Sequence, residues 1–167
     1  MQIGIKIRHF LEIPLVIAIL SFAWMEVAAR FNLHPWVGFV TWGAYFLTGC
    51  SLKSAGREAL GFTLGLFFGL IIHFLAFKLQ PMLGDHAAPL VVGIAAFIIV
   101  SLELAPWFDM APSYFLGAGV YFAAGGEPQK IPLLFVAGMV GLAFGILSAL
   151  HRGHVFKRHD QKDPIQH

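Results

Sequence analysis

Charge is what this 167-residue chain has least of: Asp, Glu, Lys and Arg make up 12% of it, against about 25% in an ordinary soluble domain. So few charges cannot cover a water-facing surface, which excludes the soluble globular class. Cysteine occurs once, at Cys50, which excludes an internal disulfide. The net charge of +2 supplies no basic face for nucleic acid. Zinc-ligand spacing, a nucleophile elbow and a phosphate-binding glycine loop are all missing. The chain therefore reads as neither an enzyme nor a cofactor binder.

What is present is apolar: 58% of residues are hydrophobic and the mean hydropathy is +0.77. Apolar stretches lie at 10–29, 35–50, 58–77, 88–106, 111–126 and 131–150. Charged residues, Pro and Gly collect at the joints: Arg30 to Pro35, Ser51 to Arg57, Lys78 to Pro89, Pro106 to Asp109, and Gly126 to Lys130. Four stretches reach the roughly 20 residues that a helix needs to cross a bilayer; the second and fifth fall short. Lys6 and Arg8 before the first stretch, and Val27-Ala28-Ala29 at its end, resemble a cleavable signal. Glu26 fits that reading badly, and the stretch has a partner at 88–106, so it is taken as a retained span.

The partner arises because the chain repeats itself. Residues 39–69 align without a gap on 115–145, at an offset of 76, through Phe39/Phe115, Gly43/Gly119, Tyr45/Tyr121, Phe46/Phe122, Gly49/Gly125, Gly65/Gly141, Leu66/Leu142, Phe68/Phe144 and Gly69/Gly145. Nine identities in thirty-one positions exceed the roughly one in ten that shared apolar composition gives. The segments 14–22 and 89–97 extend the likeness with the register slipped by one residue. With the N-terminus inside, the inner segments hold Lys6, Arg8, Lys53, Arg57, Arg152, Lys157, Arg158 and Lys162, against Arg30, Lys78 and Lys130 outside. By the positive-inside rule both termini are cytoplasmic. Each half has three spans, so the halves enter the membrane with opposite polarity. The expected fold is an all-α membrane protein of six transmembrane helices, built as two inverted three-helix repeats. Its parts are a cytoplasmic segment at 1–9, repeats at 10–78 and 88–150, and a basic, His-rich cytoplasmic tail at 151–167.

Gly61, Gly65 and Gly69 recur at every fourth residue, as do Ala137, Gly141 and Gly145. Each set makes a smooth ridge on one helix face and is assigned to close helix packing, expected of the two ridges on each other across the symmetry axis; the alternative is that bare glycine surface lines a narrow pore. Such ridges are also compatible with a homo-oligomer of unspecified size. Phe68 and Phe144 flank them as packing residues. The short second and fifth spans carry more chemistry, because matching short, Pro- and Gly-punctuated segments mark solute sites. Pro35 opens one and Pro112 the other. Thr41, Tyr45 and Thr48 form a weakly polar stripe on the second span, matched by Gly117, Tyr121 and Ala124 on the fifth. A phenol beside glycine offers a donor and a slot for a small polar solute; the alternative is that it bonds neighbouring helices.

Trp36 and Trp107 sit at span ends and suit interfacial belts, whereas Trp42 lies deeper and is the pore candidate. Glu26 and Glu103 lie near span ends, as two mouths of one path or as hydrated interfacial carboxylates. His73 continues the glycine ridge, opposite Ala149, as a one-sided pH sensor or an interfacial residue. The tail histidines His151, His154, His159 and His167 could bind metal only on a rigid scaffold that the sequence does not supply, and a tail touching anionic headgroups is the plainer reading.

Pro35-Trp36-Val37-Gly38-Phe39, Ala44-Tyr45-Phe46 and Leu52-Lys53, with Phe115-Leu116-Gly117 and Phe122-Ala123 in the second half, resemble the bacterial inner-membrane family catalogued as domain of unknown function 1097. The resemblance covers roughly residues 12–150. It implies a multi-pass bacterial inner-membrane protein and carries over no functional residues. Six spans in two inverted units are also similar, in architecture only, to the acid-activated urea and amide channels, whose protomers form hexameric rings. That similarity implies a path lined by aromatic residues and a glutamate at a membrane end, for which Trp42, Tyr45, Tyr121, Glu26 and Glu103 are the candidates. The expected function is a channel or facilitator for a small neutral or weakly charged solute such as urea, an amide or a small acid. The alternative is a non-transporting structural or accessory subunit. The expected partners are the lipid bilayer and the solute.

Overall fold

The computed structural model describes the backbone of residues 11–160 and the side chains of residues 11–156. Lys6, Arg8, Lys162 and His167 lie outside the described residues, as do the side chains of Lys157, Arg158 and His159. Among the described residues six α-helices follow in order: α1 Glu12–Arg30, α2 Pro35–Leu47, α3 Leu52–Leu83, α4 Ala87–Ser101, α5 Ala111–Ala123 and α6 Ile131–Asp160. Short 3-10 turns cover Gly84–His86, Leu102–Leu104 and Pro128–Lys130. Among the described residues there is no strand.

Local chemistry sets the boundaries. Pro35 stands in the first turn of α2, where its missing N–H and fixed φ cost nothing. Ser51 caps α3: the Ser54 N–H donates to Ser51 Oγ at 3.0 Å and the Ser51 N–H donates to Ser54 Oγ at 2.9 Å, a reciprocal capping box. This cap starts α3 at Leu52, so Lys53 and Arg57 belong to the helix rather than to a joint. At its far end α3 runs through Pro81 to Leu83. Likewise α6 continues past 150, so the first part of the expected tail is helical.

The two short helices obey the sequence offset at both ends, while the longer pairs differ in length. Helices α2 and α5 both have 13 residues and begin and end 76 positions apart. After α2 come Gly49 and Cys50 with φ of 94° and 54°; after α5 come Gly125 and Gly126 with φ of 102° and 67°. Both turns thus use two successive left-handed residues, a conformation that glycine enters without strain and Cys50 does not.

Packing exchanges elements between the halves. Helix α3 packs most extensively on α5, and its counterpart α6 packs on α2; α4 lies on α3 as α1 lies on α6. The glycine ridges therefore meet the short helices of the opposite half, not each other. A Cβ on Gly65 would lie 2.3 Å from the Tyr114 carbonyl oxygen and 2.9 Å from Gly117 Cα, and one on Gly141 would lie 2.2 Å from the Gly38 carbonyl oxygen. Gly69 faces the Tyr121 ring, and Gly145 faces the Tyr45 ring. Where α3 and α6 do touch, Gly138 accommodates the Phe62 ring.

The outer surface is apolar, with Ile19, Phe22, Phe74, Phe77, Phe97 and Leu147 all exposed. Water would penalise that surface, while lipid would solvate it. By length and apolarity three helical stretches can cross a membrane: 12–30, 52–104 (α3 and α4 joined through their 3-10 turn) and 128–156. Helices α2 and α5, at about 20 Å each, are too short to do so alone.

Candidate functional site at the α3–α5 seam

The residues singled out from sequence fall into two groups. Those on the short helices are buried in helix contacts, except Thr48, which is half-buried just past the end of α2. Thr41 Oγ1 donates to the Gly138 carbonyl of α6 at 2.7 Å, and Trp42 stacks between Phe39 and Phe144 at centroid distances of 5.9 and 5.8 Å. Thr48 Oγ1 donates back to the Tyr45 carbonyl at 3.0 Å. Tyr45 is buried beside Gly145, and Gly117 is locked against Phe62 and Gly65. The Tyr121 hydroxyl donates to the Gly126 carbonyl at 2.6 Å and stands 3.4 Å from Nδ1 of His73. It thereby ties the left-handed turn after α5 to its own helix.

The second group lies at helix ends. Glu26 is exposed in a shallow cleft of about 630 Å³ shared with Val27, Ala29, Arg30 and Phe31. Glu103 is exposed in the 3-10 turn after α4. Trp36 and Trp107 are part-exposed. His73 lines an open groove of about 400 Å³ with Gln80, Asp85 and Phe122. Ala137, the remaining ridge residue, is wholly buried in the central core. Among the described residues no group of three His, Cys, Asp or Glu comes together as a metal-ligand set.

The most unusual chemistry lies at a residue the sequence reading passed over. Glu58, in the second turn of α3, is 1% exposed. Its Oε2 accepts a hydrogen bond of 2.5 Å from Ser113 Oγ on α5, whereas no protein group reaches Oε1. One turn further along α3, Gly61 leaves room for Ser113: a Cβ there would lie 2.7 Å from Ser113 Cβ. Next to Ser113, the Tyr114 hydroxyl is also buried without a partner, in an apolar cluster with Ile99 and Ala111. The segment between α4 and α5 crosses this end of the seam. Asp109 forms an ion pair with Arg57, and the Trp107 ring lies over Gly56, 3.7 Å from where a Cβ would be. Trp107 itself has φ of 75°, a strained value for a bulky residue.

A signal for Glu58 does exist in the repeat. At the offset of 76, Glu58 corresponds to Leu134 and Ser113 to Val37, both wholly buried in the central apolar core. One seam thus carries a carboxyl–hydroxyl pair where its counterpart carries two hydrocarbons. Glu58 was missed because it opens the apolar stretch at 58 and follows Arg57, so it read as the edge of a charged joint.

A family model for proteins of unknown function, DUF1097, matches residues 14–152. The chain belongs to this family. No curated protein and no solved structure matches this DUF1097 protein, so the expected similarity to the urea and amide channels is not among the matches.

Proposed function

We propose that this DUF1097 protein crosses the bacterial inner membrane six times as two inverted three-helix repeats, the short α2 and α5 doing so only against the long helices that enclose them, with both termini cytoplasmic, and acts as a channel or facilitator for a small neutral or weakly charged solute. The equal boundaries of α2 and α5 at an offset of 76, the paired left-handed turns after them and the exchange of these two helices between halves support the inverted arrangement. One observation carries the transport reading. Glu58 Oε1 and the Tyr114 hydroxyl are buried without partners inside an apolar helix bundle. Polar atoms left so are costly in a membrane, and intramembrane carboxyls mark solute or ion paths. In this reading the short helices frame the path, with Thr41, Trp42, Tyr45, Thr48, Gly117 and Tyr121 along them, and Glu26 and Glu103 mark its two ends.

The alternative is a non-transporting structural or accessory subunit. It is favoured by the commitment of Thr41, Trp42 and Gly117 to helix packing. Stopped-flow uptake into liposomes containing the purified protein separates the two, using urea, formamide, acetamide, formate and glycerol. A facilitator accelerates at least one of them over protein-free liposomes; a structural subunit accelerates none.

A further inference from the structure

We infer that Glu58, held by Ser113, is the acceptor for a small solute carrying N–H donors, admitted from the Arg57–Asp109 end of the α3–α5 seam. This deepens the transport reading and rests on it for the solute's passage, though not for its binding. The argument begins with the geometry of the carboxyl. Ser113 occupies Oε2 at 2.5 Å, which fixes the group in the seam and leaves Oε1 as its open acceptor. A carboxylate oxygen is satisfied by N–H or O–H donors and strengthened by a cationic one. The adjacent guanidinium does not serve: Arg57 Nη2 is paired with Asp109, and Arg57 Nε, itself buried without a partner, does not bond Oε1, since neighbouring residues on a helix do not face each other.

The way in follows from what covers this end. Between the 3-10 turn at Leu102–Leu104 and the start of α5, the chain crosses α3 with Trp107 over Gly56 and Asp109 on Arg57. Both partners of that ion pair are partly solvent-exposed, at 20% and 38%, so water competes for it and its contribution to closure is small. Trp107 is held at a strained φ of 75°, which release of the segment would relieve. The counterpart seam needs no such access, because Leu134 and Val37 offer a solute nothing to bind.

That counterpart also supplies the test. Glu58→Leu combined with Ser113→Val places in this seam the residues that the other seam already packs. Such a buried polar-to-apolar exchange leaves basal thermal stability equal or raised. Methylammonium and urea serve as probes, a cationic and a neutral N–H donor, with ligand-induced shifts of the melting temperature read in detergent. The expected result is a concentration-dependent rise for the wild type with at least one probe, and apparent affinity at least about tenfold weaker in the double variant. A response to methylammonium alone identifies a cation as the solute class; a response to urea identifies a neutral amide. Equal shifts in both proteins, or none in the wild type, overturn the inference.

Labelling of wild-type Glu58 by a hydrophobic carbodiimide, read by mass spectrometry, gives an independent measure without any variant. The binding probe slows it, and unchanged labelling or a Glu58 that never reacts counts against the site. Binding without flux in liposomes retains this site and removes the channel. Flux that the double variant leaves untouched removes the site and retains the channel.

Discussion

The α3–α5 and α6–α2 seams share a backbone design and differ in chemistry. In both, a long helix brings a glycine within backbone contact of a 13-residue helix from the other half, Gly65 on Tyr114 and Gly117, Gly141 on Gly38. In both, the next ridge glycine receives a tyrosine ring. Near the start of the long helix they part, with Glu58 and Ser113 in one seam and Leu134 and Val37 in the other. Backbone proximity is therefore retained where it sets the fold, and side-chain identity diverges near the start of the long helix. The Thr41 bond to Gly138 is a second departure, since the equivalent of Thr41 is Gly117, which has no side chain to offer.

The harshest way to break the comparison is to make the apolar seam polar on one side only. Leu134→Glu buries a carboxyl with no hydroxyl opposite it and should cost about 3 kcal/mol or more, seen as loss of monodisperse protein on size exclusion; adding Val37→Ser should recover part of it. A fully stable single variant would mean that this seam is looser than its packing indicates. Next come the ridges. Gly65→Ala and Gly141→Ala each force a methyl against backbone and should destabilise by about 1–3 kcal/mol, whereas Gly43→Ala and Gly119→Ala meet nothing within 4 Å and should be neutral or slightly stabilising. Melting temperatures of the four variants decide this, and a drop in only one of the two ridge variants would end the equivalence of the seams.

Smaller effects sharpen the asymmetry. Thr41→Val removes a buried bond of 2.7 Å and should cost about 1 kcal/mol in denaturant titration; no loss would mean that the bond to the Gly138 carbonyl has no net worth. Cys50→Gly should gain up to about 1 kcal/mol, because the left-handed position that glycine holds at 126 is strained in cysteine. If Cys50→Gly is instead destabilised, the thiol contributes more than its strained backbone costs.

Much of this plan was legible in the residues. The helical class, the order of the six helices among the described residues and the two short segments follow from apolar run lengths and from the repeat, because both are written in residue types. The starts of α2 at Pro35 and of α5 at Ala111 lay at visible punctuation. The start of α3 did not: the Ser51–Ser54 box extends the helix back through Lys53 and Arg57, and a charged stretch at a helix start reads like a loop. Which face meets which was also hidden. A glycine ridge declares close approach but not its partner, so the meeting of Gly65 with Gly117 rather than with the other ridge required coordinates. Glu58 needed both sources, since only the depth of the seam separates a buried carboxyl from an interfacial one.

The exchange of short helices between the halves also governs the order in which the molecule can be made. Thr41 and the carbonyl it binds, that of Gly138, are 97 residues apart. At ordinary synthesis speeds of roughly 5–20 residues per second, α2 waits about 5–20 s for the surface that encloses it. During that interval its buried tryptophan, tyrosine and threonine must be sheltered by lipid, by the insertion machinery or by a provisional neighbour. Neither half can thus be finished alone, and a nascent chain halted between α3 and α6 would present an unfilled face to whatever lies beside it.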